Sequence, residues 1–278
     1  VVIDMPEGTT LERTNAVAKE VAQYLKTVPE MVNYQSYVGS SAPITFNGLV
    51  RHYDLRGGSN MADIQVNLLH KEDRSEQSHD VAKKIRPEIQ KIGKKYGANI
   101  KIVEVPPGPP VLSTIVAEIY GPNYEDQLKV ADQVQKILQN TDDVVDVDWM
   151  AEAPQTEFKL VADKEKSMLN GVAPAQIVGN VTYLLGEHPV SYLYDEKSNQ
   201  PVNIVMKLSD ADKTNLQDVT SLKVKGQMGN MVPVADLVKV EKDSLAKTIY
   251  RKDQKRVAYV LADMAGGLES PAYAILGM

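Results

Sequence analysis

The chain has 278 residues, 43% of them hydrophobic and 24% charged, with a formal net charge of −6 and a pI of about 5.4. Length and composition suit a globular chain of about one to three domains, and the acidic balance argues against a nucleic-acid binder, which needs a basic face for phosphates. There is no cysteine, which excludes disulfides, thiol nucleophiles and cysteine-based zinc sites, and no apolar run reaches the roughly 18 residues that span a bilayer.

The opening "VVIDM" reads as a strand and "PEGTT" as a turn rather than a signal peptide. In "TLERTNAVAKEVAQYLKTV" Val17, Val21 and Leu25 recur at four-residue spacing, which predicts an amphipathic helix capped by Thr9 or Thr10. "EMVNYQSYV" and "ADIQVNLL" alternate as strands, separated by a long irregular stretch at 38–60. A second helix, "SEQSHDVAKKIRPEIQKIGKKYG", stops at Gly97 and carries Pro87, which predicts a kink or break. "NIKIVEV" is the next strand, and "VPPGPPV" at 105–111 follows it. The order β-α-β, β-α-β is that of a ferredoxin-like unit, with helices on one face of a mainly antiparallel sheet.

Shifting the frame by 113 residues superimposes Val2 on Ile115, Gly8 on Gly121, Val17 on Val130, Val21 on Val134 and Leu25 on Leu138. Strand "TIVAEIY", turn "GPN", helix "YEDQLKVADQVQKILQNT" and strand "DVVDVDWM" therefore form a second copy. This copy is interrupted. Strand "EFKLVAD", helices "KEKSML" and "APAQIVGNVTYLL", strands "VSYLYDE" and "QPVNIVMKL", and the strand region "LKVKGQMGNMVPVADLVKVEK" with a turn at Gly229-Asn230 precede strand "RVAYVLADM" and helix "SPAYAILGM". The expected class is α+β: two ferredoxin-like βαββαβ units, the second split by an α+β insertion.

Several motifs in this order resemble the second large periplasmic loop, between the seventh and eighth membrane helices, of the resistance-nodulation-division efflux transporters. They are "MPEGTTLERTNAVAKEV", "VPPGPPVLSTIVAEIYGPN", "VADKEKSMLNGVAPAQIVGNVTYLLGEHPVSYL", "GNMVPVADLVKVE" and "IYRKDQKRVAYVLADMAG". The resemblance implies a first porter subdomain at 1–112, a second at 113–162 and 245–278, and a docking subdomain at 163–244. It also implies the periplasmic part of a bacterial inner-membrane protein, working as a homotrimer with a periplasmic adaptor and an outer-membrane channel. It implies small-molecule export, of the multidrug rather than the copper/silver type, with no cofactor, no resident metal and no chemistry on the substrate. A stretch like 38–60 is the family's switch loop. By position Gln35 and Tyr37 would face a deep pocket with Phe46 and Arg51 beside them, while Ile115, Ala117, Trp149, Met150 and Tyr259 would line the cleft between the porter units.

The residues themselves leave alternatives. Phe46 and Leu49 also fit a surface loop packing on the fold, and Trp149 fits a core. Copper/silver exporters place a methionine before "LST"; Val111 stands there. Export of divalent ions through carboxylates stays open, as does a stand-alone periplasmic binding or scaffold protein. Asp146 and Asp148 share a strand face, which reads as solvated rather than as a catalytic carboxylate pair. No Gly-x-Ser-x-Gly, His-Glu-x-x-His or phosphate-loop motif occurs. Four prolines make 105–111 a stiff joint between the two units.

Overall fold

The computed structural model describes residues 1–104, 111–186, 188–267 and 269–278, without the side chains of Phe46, Asn47, Asp54, Asp210 and Ala211. The proline-rich joint read from the sequence, at 105–110, thus lies outside the described residues, as does the Phe46 side chain. The chain forms two compact units: Val1–Gln155 with Ala246–Met278, and Thr156–Leu245.

The first unit opens with β1 (Val2–Asp4), α1 (Leu11–Leu25), β2 (Met31–Ser40), the short α2 (Phe46–Val50), β3 (Gly57–Leu68), α3 (Ser78–Tyr96) and β4 (Asn99–Lys101). The sheet order is β2-β3-β1-β4 with antiparallel pairing throughout, the arrangement expected of a ferredoxin-like unit. α1 starts where Thr10 accepts from the Arg13 N–H, as its N-cap position demands. Val17, Val21 and Leu25 are buried with Ile3, Ile64, Ile89 and Ile100 in one core. α3 runs unbroken through Pro87 and ends at Gly97, whose φ of 67° is the left-handed cap conformation. Gly93 lets this helix lie close on β4, since a Cβ there would meet the Ala98 carbonyl at 2.9 Å. The irregular stretch is shorter than 38–60: β2 reaches Ser40, β3 begins at Gly57, and a helical turn at Tyr53–Leu55 follows α2.

The second half of this unit repeats the pattern with β5 (Ile115–Tyr120), α4 (Tyr124–Gln139) and β6 (Val144–Trp149). Leu11 and Tyr124 open the two helices, Met31 and Val144 the two strands, and Thr10 and Asn123 cap, each pair 113 residues apart.

The chain then enters the second unit: β7 (Thr156–Ala162), α5 (Lys164–Leu169), α6 (Pro174–Leu185), β8 (Pro189–Leu193), β9 (Val202–Val205), α7 (Leu216–Ser221), β10 (Lys223–Lys225), β11 (Met231–Pro233), α8 (Val234–Leu237) and β12 (Val238–Ser244). β7 pairs with β12 along its whole length, so both strands belong to the compact unit Thr156–Leu245. The single strand region expected around "MVPVADLVKVEK" is divided by α8, whose Val234 and Leu237 are fully buried with Val172, Ile177 and Val224.

On its return the chain adds β13 (Arg251–Lys252), β14 (Lys255–Met264) and α9 (Pro271–Leu276) to the first unit. β14 lies between β5 and β6, antiparallel to both, the place β3 holds between β1 and β2. At the stem of the insertion the Glu152 carboxylate accepts from the Thr248 N–H (3.2 Å) and hydroxyl (2.5 Å).

Ile89 is fully buried beneath α3. Ile89→Ala should lower the unfolding free energy by about 2–5 kcal/mol, read as a shifted urea midpoint at unchanged slope.

Candidate functional site at the seam between the two halves

The edge strand β4 of the first half approaches the edge strand β6 of the second. No ladder joins them among the described residues; side chains close the gap. The Asn99 amide donates to the Val147 carbonyl (3.4 Å) and to Asp148 (3.3 Å), and the Ile102 N–H donates to Asp146 (3.1 Å). A bulge positions Asp146. Val145 pairs with Asp263 and Asp148 with Leu261, so two residues of β6 oppose Ala262. Asp146 takes a φ of 53°, which aspartate tolerates better than most residues. Val144, Val147 and Trp149 then face the core while Asp146 and Asp148 face the first half.

Five cations of the first half meet four carboxylates of the second. Arg86 of α3 pairs with Asp146, and Lys101 lies between Asp148 and Asp4, 2.8 Å from the latter. Arg51 forks onto Asp263 at 2.7 and 3.4 Å. Lys83 and His79 both reach Glu269. In every described ion pair across the seam the cation belongs to the first half. The expectation of a solvated acidic face is overturned: the Asp146 side chain is 2% exposed and Arg86 12%, because a wall distant in sequence covers the strand face.

Asp263 is held from its own half as well, by the Ser113 hydroxyl (3.1 Å), the Thr114 N–H (2.9 Å) and the Thr114 hydroxyl (2.8 Å). Burial opposes its ionisation, but Arg51 and Thr114 outweigh it and hold the carboxyl below the ordinary value. Burial likewise disfavours charge on Lys101, yet Asp148 and Asp4 together raise its pKa above that of a free lysine. For Asp146 burial wins and pushes the carboxyl up, partly offset by Arg86 and the Ile102 N–H.

The residues singled out in the sequence fall in different places. Arg51 is at the seam. Gln35 and Tyr37 sit together on β2, the Tyr37 hydroxyl donating to Gln35 (2.7 Å). Tyr259 stacks edge-on against Tyr250 at 6.3 Å, and its carbonyl accepts from the Met150 N–H. Ile115 and Ala117 do share a face, but that face turns inward, and Ile115 is buried in one core cluster with Ala131, Leu138 and Val260. Trp149 packs on the same cluster. Ala117 and Trp149 are only partly buried, and the inward face of β5 is covered by α4. Arg86, Lys101, Asp148 and Asp263 were not singled out as seam residues. Their one sequence signal is charge on the outward face of strands and helices in both copies.

A cavity of about 450 Å3 opens at the end of the first sheet. Ile64, Val81, Ile85 and Ile102 give it an apolar wall, with Tyr53 and Asp63 also lining it. Pro43, Ile44 and Gly48 border it too, so the segment that carries Arg51 to the seam also borders the cavity. Among the described residues no three His, Asp or Glu side chains gather as a metal-binding group, and no helix is long and apolar enough to cross a membrane.

Removing one partner of a buried ion pair strands the other charge, at a cost of about 3–5 kcal/mol, whereas an apolar pair of similar volume is often neutral or better. Arg86→Ala should therefore destabilise by about that amount, and Arg86→Met with Asp146→Leu should return stability to within about 1 kcal/mol of the parent, measured as a denaturant double-mutant cycle.

Comparison with known proteins places this geometry in a family. The model of the AcrB/AcrD/AcrF family matches residues 1–274. The swarming motility protein SwrC of Bacillus subtilis (strain 168) is 23% identical over 152 residues, 55% of this chain and 14% of that protein. The nickel and cobalt resistance protein CnrA of Cupriavidus metallidurans is 22% identical over 161 residues, 56% of this chain and 15% of that protein. Two crystal forms of a heavy metal efflux pump share the fold, with TM-scores of 0.71 and 0.72 at 14% and 16% identity. Each match covers 99% of this chain and 27% or 28% of the pump. The chain thus spans about a seventh of the curated relatives it matches. With the family model matched along nearly its whole length and the repeated α+β fold in place, the chain belongs to the AcrB/AcrD/AcrF family.

Proposed function

We propose that this chain is the periplasmic porter and docking portion of a proton-driven efflux pump of the resistance-nodulation-division type, and that the seam is its substrate gate. The observation that carries the reading is the segment between β2 and β3. Its Arg51 closes the seam on Asp263 while its neighbours border the apolar cavity. Rocking the two halves apart, a hinge or shear motion, breaks the seam pairs, frees Arg51 and shifts the cavity border. The first unit corresponds to the two porter subdomains and Thr156–Leu245 to the docking subdomain. Two further copies, a periplasmic adaptor and an outer-membrane channel complete the assembly, and the proton path runs through membrane helices outside this chain. The substrate undergoes no chemistry.

The apolar walls and few polar anchors of the cavity favour small organic amphiphiles, with Gln35, Tyr37, Phe46, Arg51, Met150 and Tyr259 as contact residues to test along the route. A second reading, export of divalent metal ions, is favoured by the names of two relatives, the nickel and cobalt resistance protein CnrA and the nickel-cobalt-cadmium resistance protein NccA of Alcaligenes xylosoxydans xylosoxydans (24% identical over 161 residues). Deleting the parent gene and challenging the strain with dyes, bile salts, Ni2+ and Co2+ separates the two. Sensitivity to amphiphiles alone supports the organic reading, and sensitivity to the metals alone overturns it.

The gate has its own test. The Ala153 N–H donates to the exposed Glu7 carboxylate across the seam (3.0 Å). Joining Glu7→Cys to Ala153→Cys with a short reducible cross-linker in the full pump should abolish export, and reduction should restore it. Undiminished export in the cross-linked pump would remove the gate.

A further inference from the structure

His79 lies in the first turn of α3, between two carboxylates from different halves. Its Nδ1 is 3.0 Å from both oxygens of Glu104, which follows β4, and its Nε2 is 2.6 Å from Glu269, which precedes α9. An ionised carboxylate can only accept a hydrogen bond, so both ring nitrogens must donate. An imidazole that donates from both is the imidazolium. The ring is thus a charged strut from the first half to the second. Lys83, one turn along α3, also meets Glu269 and donates to the Gly266 carbonyl (2.9 Å). Asp143 accepts from the Gly267 N–H (3.2 Å), the Arg86–Asp146 pair lies further along the helix, and Asp80 is turned back to the Gln77 N–H.

We propose that His79 is a proton-operated latch on the seam: doubly protonated it ties α3 to the Glu269 segment, and loss of one ring proton weakens that tie. A neutral ring has one donor for two carboxylates and must let one go. Lys83 keeps its own contacts to Glu269 and the Gly266 carbonyl, so the seam loosens rather than falls apart. The latch is independent of what passes the gate.

The pH window follows from both partners. Glu269 and, less strongly, Glu104 raise the His79 pKa from its ordinary 6.5 against the effect of partial burial, so this stabilisation is complete below about 6.5 and is lost as pH rises through the raised value. Lys83 and then His79 lower the Glu269 carboxyl from 4.5 to about 2, so its share is complete above about 4.5 and is lost as pH falls towards 2. The tie is whole between those limits.

The test reads ring and seam separately in the 278-residue chain. Nitrogen NMR of the ring, assigned by its disappearance in His79→Gln, should show both nitrogens protonated at pH 6 and a titration above 6.5. Hydrogen-exchange protection of the Ile102 amide, which bonds across the seam to Asp146, should then fall by up to about tenfold per pH unit above the ring's pKa, the limit for one linked proton. Glu269→Gln should lower the ring's pKa and flatten that fall, and His79→Arg should abolish it. A neutral tautomer at pH 6, or a wild-type protection profile unchanged in Glu269→Gln, overturns the latch. If Glu269→Gln and His79→Arg fail to fold, the assigned wild-type ring titration decides alone.

Discussion

Two sheet edges that meet without a ladder leave backbone donors and acceptors to be satisfied by other means, and the rest of this structure follows from how that is done. β4 and β6 are closed by side chains: Asn99 on the Val147 carbonyl, Asp146 on the Ile102 N–H, Lys101 between Asp148 and Asp4. A continued ladder would weld the halves into one sheet. Ion pairs hold through long side chains and can be exchanged for water, so these contacts close the seam without fusing the two sheets. In the ion pairs described across the seam the cation always comes from the first half and the carboxylate from the second, and this complementarity favours one register of the two edges. Burial raises the stakes, since each charge left unpaired there is costly.

The helices and their order were legible in the sequence because period and caps are local properties. The turn glycine Gly97 and the N-cap Thr10 needed only nearby residues to read, and the 113-residue repeat only the same local signals met twice. The bulge in β6 was not legible: it depends on how β14 registers against a strand more than a hundred residues away. Nor was the seam. Alternation tells which residues share a face but not what that face meets. Asp146 and Asp148 were correctly assigned to one side and wrongly assigned to water, because Arg86 and Lys101 lie 60 and 47 residues distant. For Ile115 the unread partner is a helix: α4 covers the inner face of β5.

The segment between β2 and β3 joins two scales of organisation. Its ends are pinned to the first half, through the Ala42 N–H on Asp63 (2.9 Å) and Arg56 on Asp4 (2.6 Å), while Arg51 in its middle bonds to the second. Tension at Arg51 is therefore transmitted to a segment fixed at both ends, and the part free to respond is the short helical stretch beside the cavity. Asp263 is in turn held in its own half by Ser113 and Thr114, so both ends of this ion pair are anchored.

The stem formed by Glu152 and Thr248 has a consequence for how this architecture was assembled. In the first copy the step from second to third strand is a short helical segment; in the second copy the same step is a whole folded unit, Thr156–Leu245. By clasping the outgoing and returning chain, the stem presents the host with two ends already close together. The entropy of closing whatever lies between grows only slowly with its length. That connection is a socket: the duplicated fold can inherit a loop or a domain there without relearning how to pair its strands.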